Sequence, residues 1–175
     1  GKPDRFEEKG INAVHLSGRQ FCLPVVFRNA VGILQGGHMG KIAVIGAGSW
    51  GTALAQTLAA AGNEGVMWAR KPEVADAITK EHHNPRYLNG VMLSDSISAT
   101  SNLQKCAEHA EALVIVTPSR LTRQFAQDLA PDVEEGTPIV VCSKGVEEGT
   151  GLLPVQVFEE VLGNIDRLAA LSGPN

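Results

Sequence analysis

The chain has 175 residues, 43% of them hydrophobic and 19% charged, with a formal net charge of −4, which suits one globular domain of roughly 100–150 residues with some chain to spare. Its charges are interspersed, and without a basic block a nucleic-acid partner is not expected, nor is membrane insertion, since no apolar run approaches about 20 residues. Cys22, Cys106 and Cys142 are odd in number and widely spaced, so they form neither a disulfide framework nor a C-x-x-C metal pair, and a reducing cytoplasm fits best.

Residues 1–38 mix short apolar runs with charges and hold no sustained period before Gly36-Gly37-His38-Met39. The domain is expected to begin near Met39, with 1–38 a leader, a cloning remnant or a poorly ordered extension. Acidic Asp4, Glu7 and Glu8 speak against a transit peptide, a class poor in acids.

From Lys41 the chain reads as an alternation of strands and helices. "IAVIG" is a short apolar run of strand type, and "SWGTALAQTLAAAG" is a helix ended by Gly62. "GVMWA" is a second strand, followed by the helix "PEVADAITKEHH" with Pro72 in its first turn. "NPRYLNGVMLSDS" is rich in turn formers and reads as loop. "SISAT" is a short strand before a helix that Ser101 or Asn102 would cap.

"EALVIVTP" is the most strand-like run, ended by Pro118, and "SRLTRQFAQDLAP" is a helix with Leu121, Phe125 and Leu129 on one face. "TPIVVCSKG" is a further strand, in which Cys142 is a small buried hydrophobe. "LLPVQVFEEVLG" is a helix and "RLAALSGPN" a last strand. Continuously apolar strands are buried on both faces, the mark of a parallel sheet covered by helices. The expected fold is a doubly wound, mainly parallel α/β domain.

In such a sheet ligands bind at the carboxyl ends of the strands. "GAGSWG" lies there, after the first strand and at the head of a helix. Gly46 permits the tight turn, Gly48 lets a pyrophosphate approach the backbone, and Gly51 lets helix and strand pack closely. The helix start near Ser49 offers N–H groups and a positive dipole end to phosphates. The G-x-G-x-x-G spacing is weak alone; its place in the first βα unit makes a Rossmann-like dinucleotide site the favoured reading over a purely structural turn.

An NAD site usually carries an acid about 20 residues on, at the end of the second strand. Here "WARKP" puts Arg70 and Lys71 there, two cations suited to a 2′-phosphate. NADP(H) is therefore expected to be preferred, with NAD(H) as second cofactor. The plain alternative is two solvated residues at a strand end. Lys144 of "SKG" ends a buried strand, where a mobile cation would attract a phosphorylated substrate or simply point to water.

These residues carry a resemblance. "IGAGSWGTALA", "NPRYLNG", "VTPS", "SKGVEEGTG" and "LSGPN", in this order from Met39 to Asn175, resemble the N-terminal part of NAD(P)-dependent glycerol-3-phosphate dehydrogenase of the bacterial type. Two positions depart from the family pattern: Asn89 where proline is frequent, and Gly65 where a β-branched residue is usual, which should weaken that strand slightly. The resemblance implies that Ser49 and Trp50 contact the cofactor's pyrophosphate region and that Arg70 and Lys71 meet the adenosine 2′ side. It implies Tyr87 near the cofactor, Pro118 against the nicotinamide half, Lys144 between nicotinamide and substrate, and Gly173 and Asn175 at the substrate.

The implied reaction is hydride transfer between NAD(P)H and dihydroxyacetone phosphate, giving sn-glycerol 3-phosphate for glycerophospholipid synthesis in a cytoplasmic homodimer. In the family the proton-transferring lysine lies beyond "SGPN", in a helical C-terminal domain. Residues 39–175 are thus expected to be an NAD(P)-binding domain that stops before that domain, with no catalytic residue and no turnover of its own.

Other constellations are weaker. His82 and His83 are adjacent, point about 100° apart on a helix, and make a poor metal pair, so no metal site is assigned. Glu147 and Glu148 lack the separation of an acid/base pair, and no G-x-S-x-G or H-E-x-x-H hydrolase motif occurs. Two alternatives stand beside the main reading. One is another two-domain hydroxy-acid or sugar-phosphate dehydrogenase, which should lack the "NPRYL", "SKG" and "SGPN" set. The other is a non-catalytic dinucleotide-binding module, for which a basic DNA-contacting extension would be the sign of a redox sensor.

Overall fold

The structure is a computed structural model and describes residues 40–163 and 167–171. Residues 1–38, with Cys22, and the substrate-side candidates Gly173 and Asn175 lie outside the described residues. In chain order the elements are β1 (Lys41–Ile45), α1 (Ser49–Ala60), β2 (Glu64–Trp68), α2 (Pro72–Glu81), β3 (Ile97–Thr100), α3 (Leu103–Ala107) and β4 (Ala112–Ile115). A 3-10 turn (Ser119–Leu121) then leads into α4 (Thr122–Leu129), followed by β5 (Ile139–Val141), α5 (Pro154–Leu162) and β6 (Leu168–Ala170). The strands form one sheet in the order β3-β2-β1-β4-β5-β6, and every pairing is parallel. The expected doubly wound parallel sheet is observed.

Successive strand residues face opposite sides of the sheet, so continuously apolar strands build two cores. Ile42, Val44, Met67 and Val114 pack against Ala55 and Leu58 of α1 and Val74 and Ile78 of α2. Ala43, Ile45, Leu113 and Ile115 pack on the other side against Cys106 of α3, Phe125 and Leu129 of α4, and Phe158 of α5. Each fully buried Leu, Ile or Phe among these contributes about 1.5–3 kcal/mol. On the second face the Trp68 ring meets Phe125 edge-on at 5.1 Å between centroids, and its Nε1 donates to Ser101 O at 3.1 Å.

Local signals set most boundaries. Pro72 stands at the start of α2, and Asn102 caps α3 by accepting the Lys105 N–H at 2.8 Å. Thr79 of α2 satisfies both outward backbone groups of Ala99 in edge strand β3: its Oγ1 accepts the Ala99 N–H at 2.8 Å and donates to Ala99 O at 3.1 Å. That removes pairing groups an exposed edge would otherwise offer.

Two boundaries differ from the sequence reading. α2 stops at Glu81, and His82 takes the left-handed conformation (φ 51) as its C-cap, so His82 and His83 are not on the helix. Leu121 does not share a face with Phe125 and Leu129. The first turn after Pro118 is 3-10, closed by Leu121 N–H to Pro118 O at 2.9 Å. Three residues per turn instead of 3.6 rotate Leu121 off the buried stripe, and it is 37% exposed.

Gly65 is buried in β2, and a Cβ there would meet Ile97 Cγ1 at 3.5 Å, an ordinary contact. Gly65→Ala should therefore raise unfolding stability by about 0.5–1 kcal/mol, measured by urea denaturation.

Candidate functional site

The strand order reverses between β2-β1 and β4, and the crevice at the carboxyl ends of β1 and β4 is where such sheets bind ligands. The three glycines occupy it for different reasons. At Gly46 (φ +127) a Cβ would lie 2.6 Å from Val116 O. At Gly51 it would lie 2.0 Å from Gly46 O, so only glycine lets α1 sit this close to the turn. At Gly48 a Cβ would meet nothing within 4 Å, and its φ of −80 is open to any residue. The fold needs glycine at 46 and 51 but not at 48; open space above Gly48 suits a ligand group approaching the backbone.

Helix α1 begins at this point without a side-chain cap and without an acid in its first turn. Its leading N–H groups, from Ser49, Trp50 and Gly51, lack intrahelical acceptors and carry the positive end of the dipole. Ser49 is exposed and Trp50 is 54% exposed. This donor set fits the phosphates of a dinucleotide.

The remaining described candidates are distributed along the same carboxyl edge. Arg70 and Lys71 follow β2, both exposed; Lys71 Nζ lies 3.7 Å from Glu73 Oε1, a loose solvent-facing contact. Pro118 follows β4 and Lys144 follows β5, again exposed. Tyr87 is 41% exposed and belongs to the 82–96 segment. That segment folds back along α1: Asn84 Nδ2 donates to Ala47 O at 3.0 Å, and the Ser94 N–H reaches Gln56 Oε1 at 2.9 Å.

Several polar residues that hold this edge together escaped the sequence reading. Asn84 is 1% exposed; its Asn-Pro dipeptide signalled a turn but not its partner. Ser143 Oγ donates to Thr117 O at 2.6 Å, and a Cβ on Gly145 (φ +96) would press on Ser119 Oγ at 3.2 Å. The loops after β4 and β5, carrying "VTPS" and "SKG", are thereby joined. Arg123 makes a bidentate pair with Glu147, both contacts 2.8 Å, and reaches Glu160 at 3.0 Å. Thr150 Oγ1 also donates to Glu147. This cluster ties the loop after Lys144 to α4 and α5, and nothing in the adjacent "EE" announced it.

The Arg123 hydrogen bonds, then that of Thr150, draw the Glu147 carboxyl down from 4.5 to about 2. The same pairing raises the Arg123 guanidinium further. Cys142 and Cys106 are buried thiols, pushed up to about 12 by desolvation; they are packing residues, as expected of Cys142. His82 Nε2 lies 3.6 Å from Asp95 Oδ1. Among the described residues no group of three or more His, Cys, Asp or Glu is placed to hold a metal, and no helix is long and apolar enough to cross a membrane.

A parallel β3-β2-β1-β4-β5-β6 sheet with a glycine turn at its switch point defines a Rossmann-type domain. The family model for the NAD-dependent glycerol-3-phosphate dehydrogenase N-terminus matches residues 41–175. The chain belongs to this family. Glycerol-3-phosphate dehydrogenase [NAD(P)+] of Parvibaculum lavamentivorans is 47% identical over 135 residues, covering 77% of this chain and 40% of that protein. Among solved structures, the glycerol-3-phosphate dehydrogenase of Coxiella burnetii superposes with a TM-score of 0.67 at 31% identity, over 72% of this chain and 38% of that one. The Saccharomyces cerevisiae enzyme gives 0.69 at 27% identity, over 79% and 43%. The chain thus spans about two-fifths of the length of the curated relatives it matches.

Two predictions come from this geometry. Gly51→Ala should unfold or severely destabilise the chain, whereas Gly48→Ala should cost only about 1 kcal/mol in chemical denaturation, the loss of a favoured N-cap residue. For Glu147, a folded-state value below the ordinary one stabilises above about pH 4.5, and the gain fades as pH falls toward about 2. Glu147→Gln should flatten the fall in melting temperature across that window, followed by circular dichroism.

Proposed function

We propose that residues 39–175 form the cofactor-binding domain of a glycerol-3-phosphate dehydrogenase that prefers NADPH over NADH. The observation carrying this is the open turn at Gly48 ahead of the uncapped α1, in a chain of this family. The pyrophosphate would rest on the N–H groups from Gly48 to Gly51, with Ser49 and Trp50 beside it. Arg70 and Lys71, at the end of β2 where an NAD site usually has an acid, would receive the adenosine 2′-phosphate. Tyr87 would approach from the 82–96 segment, and Pro118 would lie against the nicotinamide half.

When bound, the cofactor supplies the hydride for reduction of dihydroxyacetone phosphate to sn-glycerol 3-phosphate, the step that feeds glycerophospholipid synthesis. Lys144, exposed after β5, would draw in the anionic substrate and border the nicotinamide. Gly173 and Asn175 complete the proposed substrate side, and the proton delivered to the nascent hydroxyl is assigned to no residue of this chain. A cytoplasmic homodimer of the whole enzyme belongs to the same reading.

Titration of the chain with NADPH and NADH, followed by nicotinamide fluorescence, tests the proposal. NADPH should bind more tightly, and a combined Arg70→Ala, Lys71→Ala change should weaken NADPH by about tenfold to a hundredfold, the range of a lost charge-assisted contact, with little effect on NADH. Tighter NADH binding would overturn the preference, and binding of neither dinucleotide would overturn the reading itself.

A further inference from the structure

We infer that Asn84 is a positioning residue that orients the anion-binding N–H groups of the glycine turn and locks the Tyr87 segment onto it; the inference rests on the cofactor reading above.

All of the hydrogen-bonding capacity of its buried carboxamide is spent on these two elements. On one side Nδ2 donates to Ala47 O at 3.0 Å and to Thr52 Oγ1 at 3.0 Å. On the other, Oδ1 accepts the N–H groups of Arg86 at 3.0 Å and Tyr87 at 3.2 Å. Thr52 passes the constraint on, since its Oγ1 donates to Gly48 O at 2.8 Å, alongside the Thr52 N–H at 2.9 Å.

The orientation follows from peptide planarity. In a trans peptide C=O and the next N–H point to opposite sides, and none of the described peptides is cis. Ala47 O, held by Asn84, turns the Gly48 N–H away from Asn84, and Gly48 O, held by Thr52, turns the Ser49 N–H away from Thr52. The space over Gly48 is also open, since a Cβ there would find no atom within 4 Å. The segment has its own closure farther along, through Leu93 N–H to His82 O at 2.7 Å and Ser94 N–H to Gln56. Loss of the Asn84 contacts should therefore loosen the Tyr87 end and the turn while the rest of the domain stays folded.

Asn84→Ala and Thr52→Val, the latter keeping the shape of Thr52 without its hydroxyl, test this in the 175-residue chain. Each should weaken NADPH and NADH by the same factor, at least about tenfold, since each removes more than one hydrogen bond that holds the turn. The ratio between the two cofactors should stay unchanged, unlike that of the Arg70 and Lys71 variant, and the Gly48 and Ser49 amide signals should shift in NMR spectra of the cofactor-free protein. Should Asn84→Ala fail to fold, Thr52→Val carries the test. Unchanged dissociation constants in a folded variant, at a temperature well below its melting transition, overturn the inference alone. A wild-type chain that binds neither dinucleotide overturns the cofactor reading and this inference with it.

Discussion

The approach of α1 to the end of β1 is the constraint on which the rest of the site depends. With 2.0 Å between a notional Cβ of residue 51 and Gly46 O, no side chain can be placed there without driving the helix away from the sheet. Gly46 in turn sits against Val116 O at the end of β4, so β1, β4 and the head of α1 converge at one point. Because β1 and β4 are the central pair of the sheet, this point coincides with the reversal of strand order. The positive end of α1 and the crevice between the strands become one place.

Around that point the carboxyl-edge loops are held by a few polar contacts, with Leu93 as an apolar anchor of the 82–96 segment in the core. Loops cannot bury their backbone without partners for it, and here side chains supply some of them, Asn84 for the 82–96 segment and Ser143 for the junction of the β4 and β5 loops, while the loop after Lys144 is held side chain to side chain through Glu147 and Arg123. The Arg123–Glu147 contact is bidentate and its carboxylate side chain is only 16% exposed, which sets it apart from loose surface pairs such as Lys71–Glu73. The groups proposed to meet ligands, by contrast, are exposed: Trp50, Arg70, Tyr87 and Lys144. The exposed candidates thus stand on loops held by buried or partly buried polar side chains.

Much of the architecture was legible in the chain. The two-sided burial of "IAVI" and "ALVI" followed from unbroken apolar runs, and the glycine turn from its place between strand and helix. What was misjudged lay at element ends, where the 3-10 turn displaced Leu121 and the left-handed His82 ended α2 early. There the choice between near-equal backbone states is settled by neighbours rather than by propensity. The supporting roles of Asn84, Thr52, Ser143 and Arg123 are not visible in the sequence, because each is joined to a partner far along the chain.

By itself the sequence determined the alternation of strands and helices, the glycine turn, the cationic end of β2 and the family to which the chain belongs. Those features depend on periodicity and on residues a few positions apart, which a linear string displays directly. Tertiary structure alone decided which of the three glycines has open space above it, which side chains hold the turn, and which loops are joined. Those outcomes rest on contacts across long stretches of chain, 37 residues from Asn84 to Ala47 and 24 from Arg123 to Glu147. A hydrogen bond across such a separation leaves no period in the sequence, because its two ends are brought together only by the packing of everything between them.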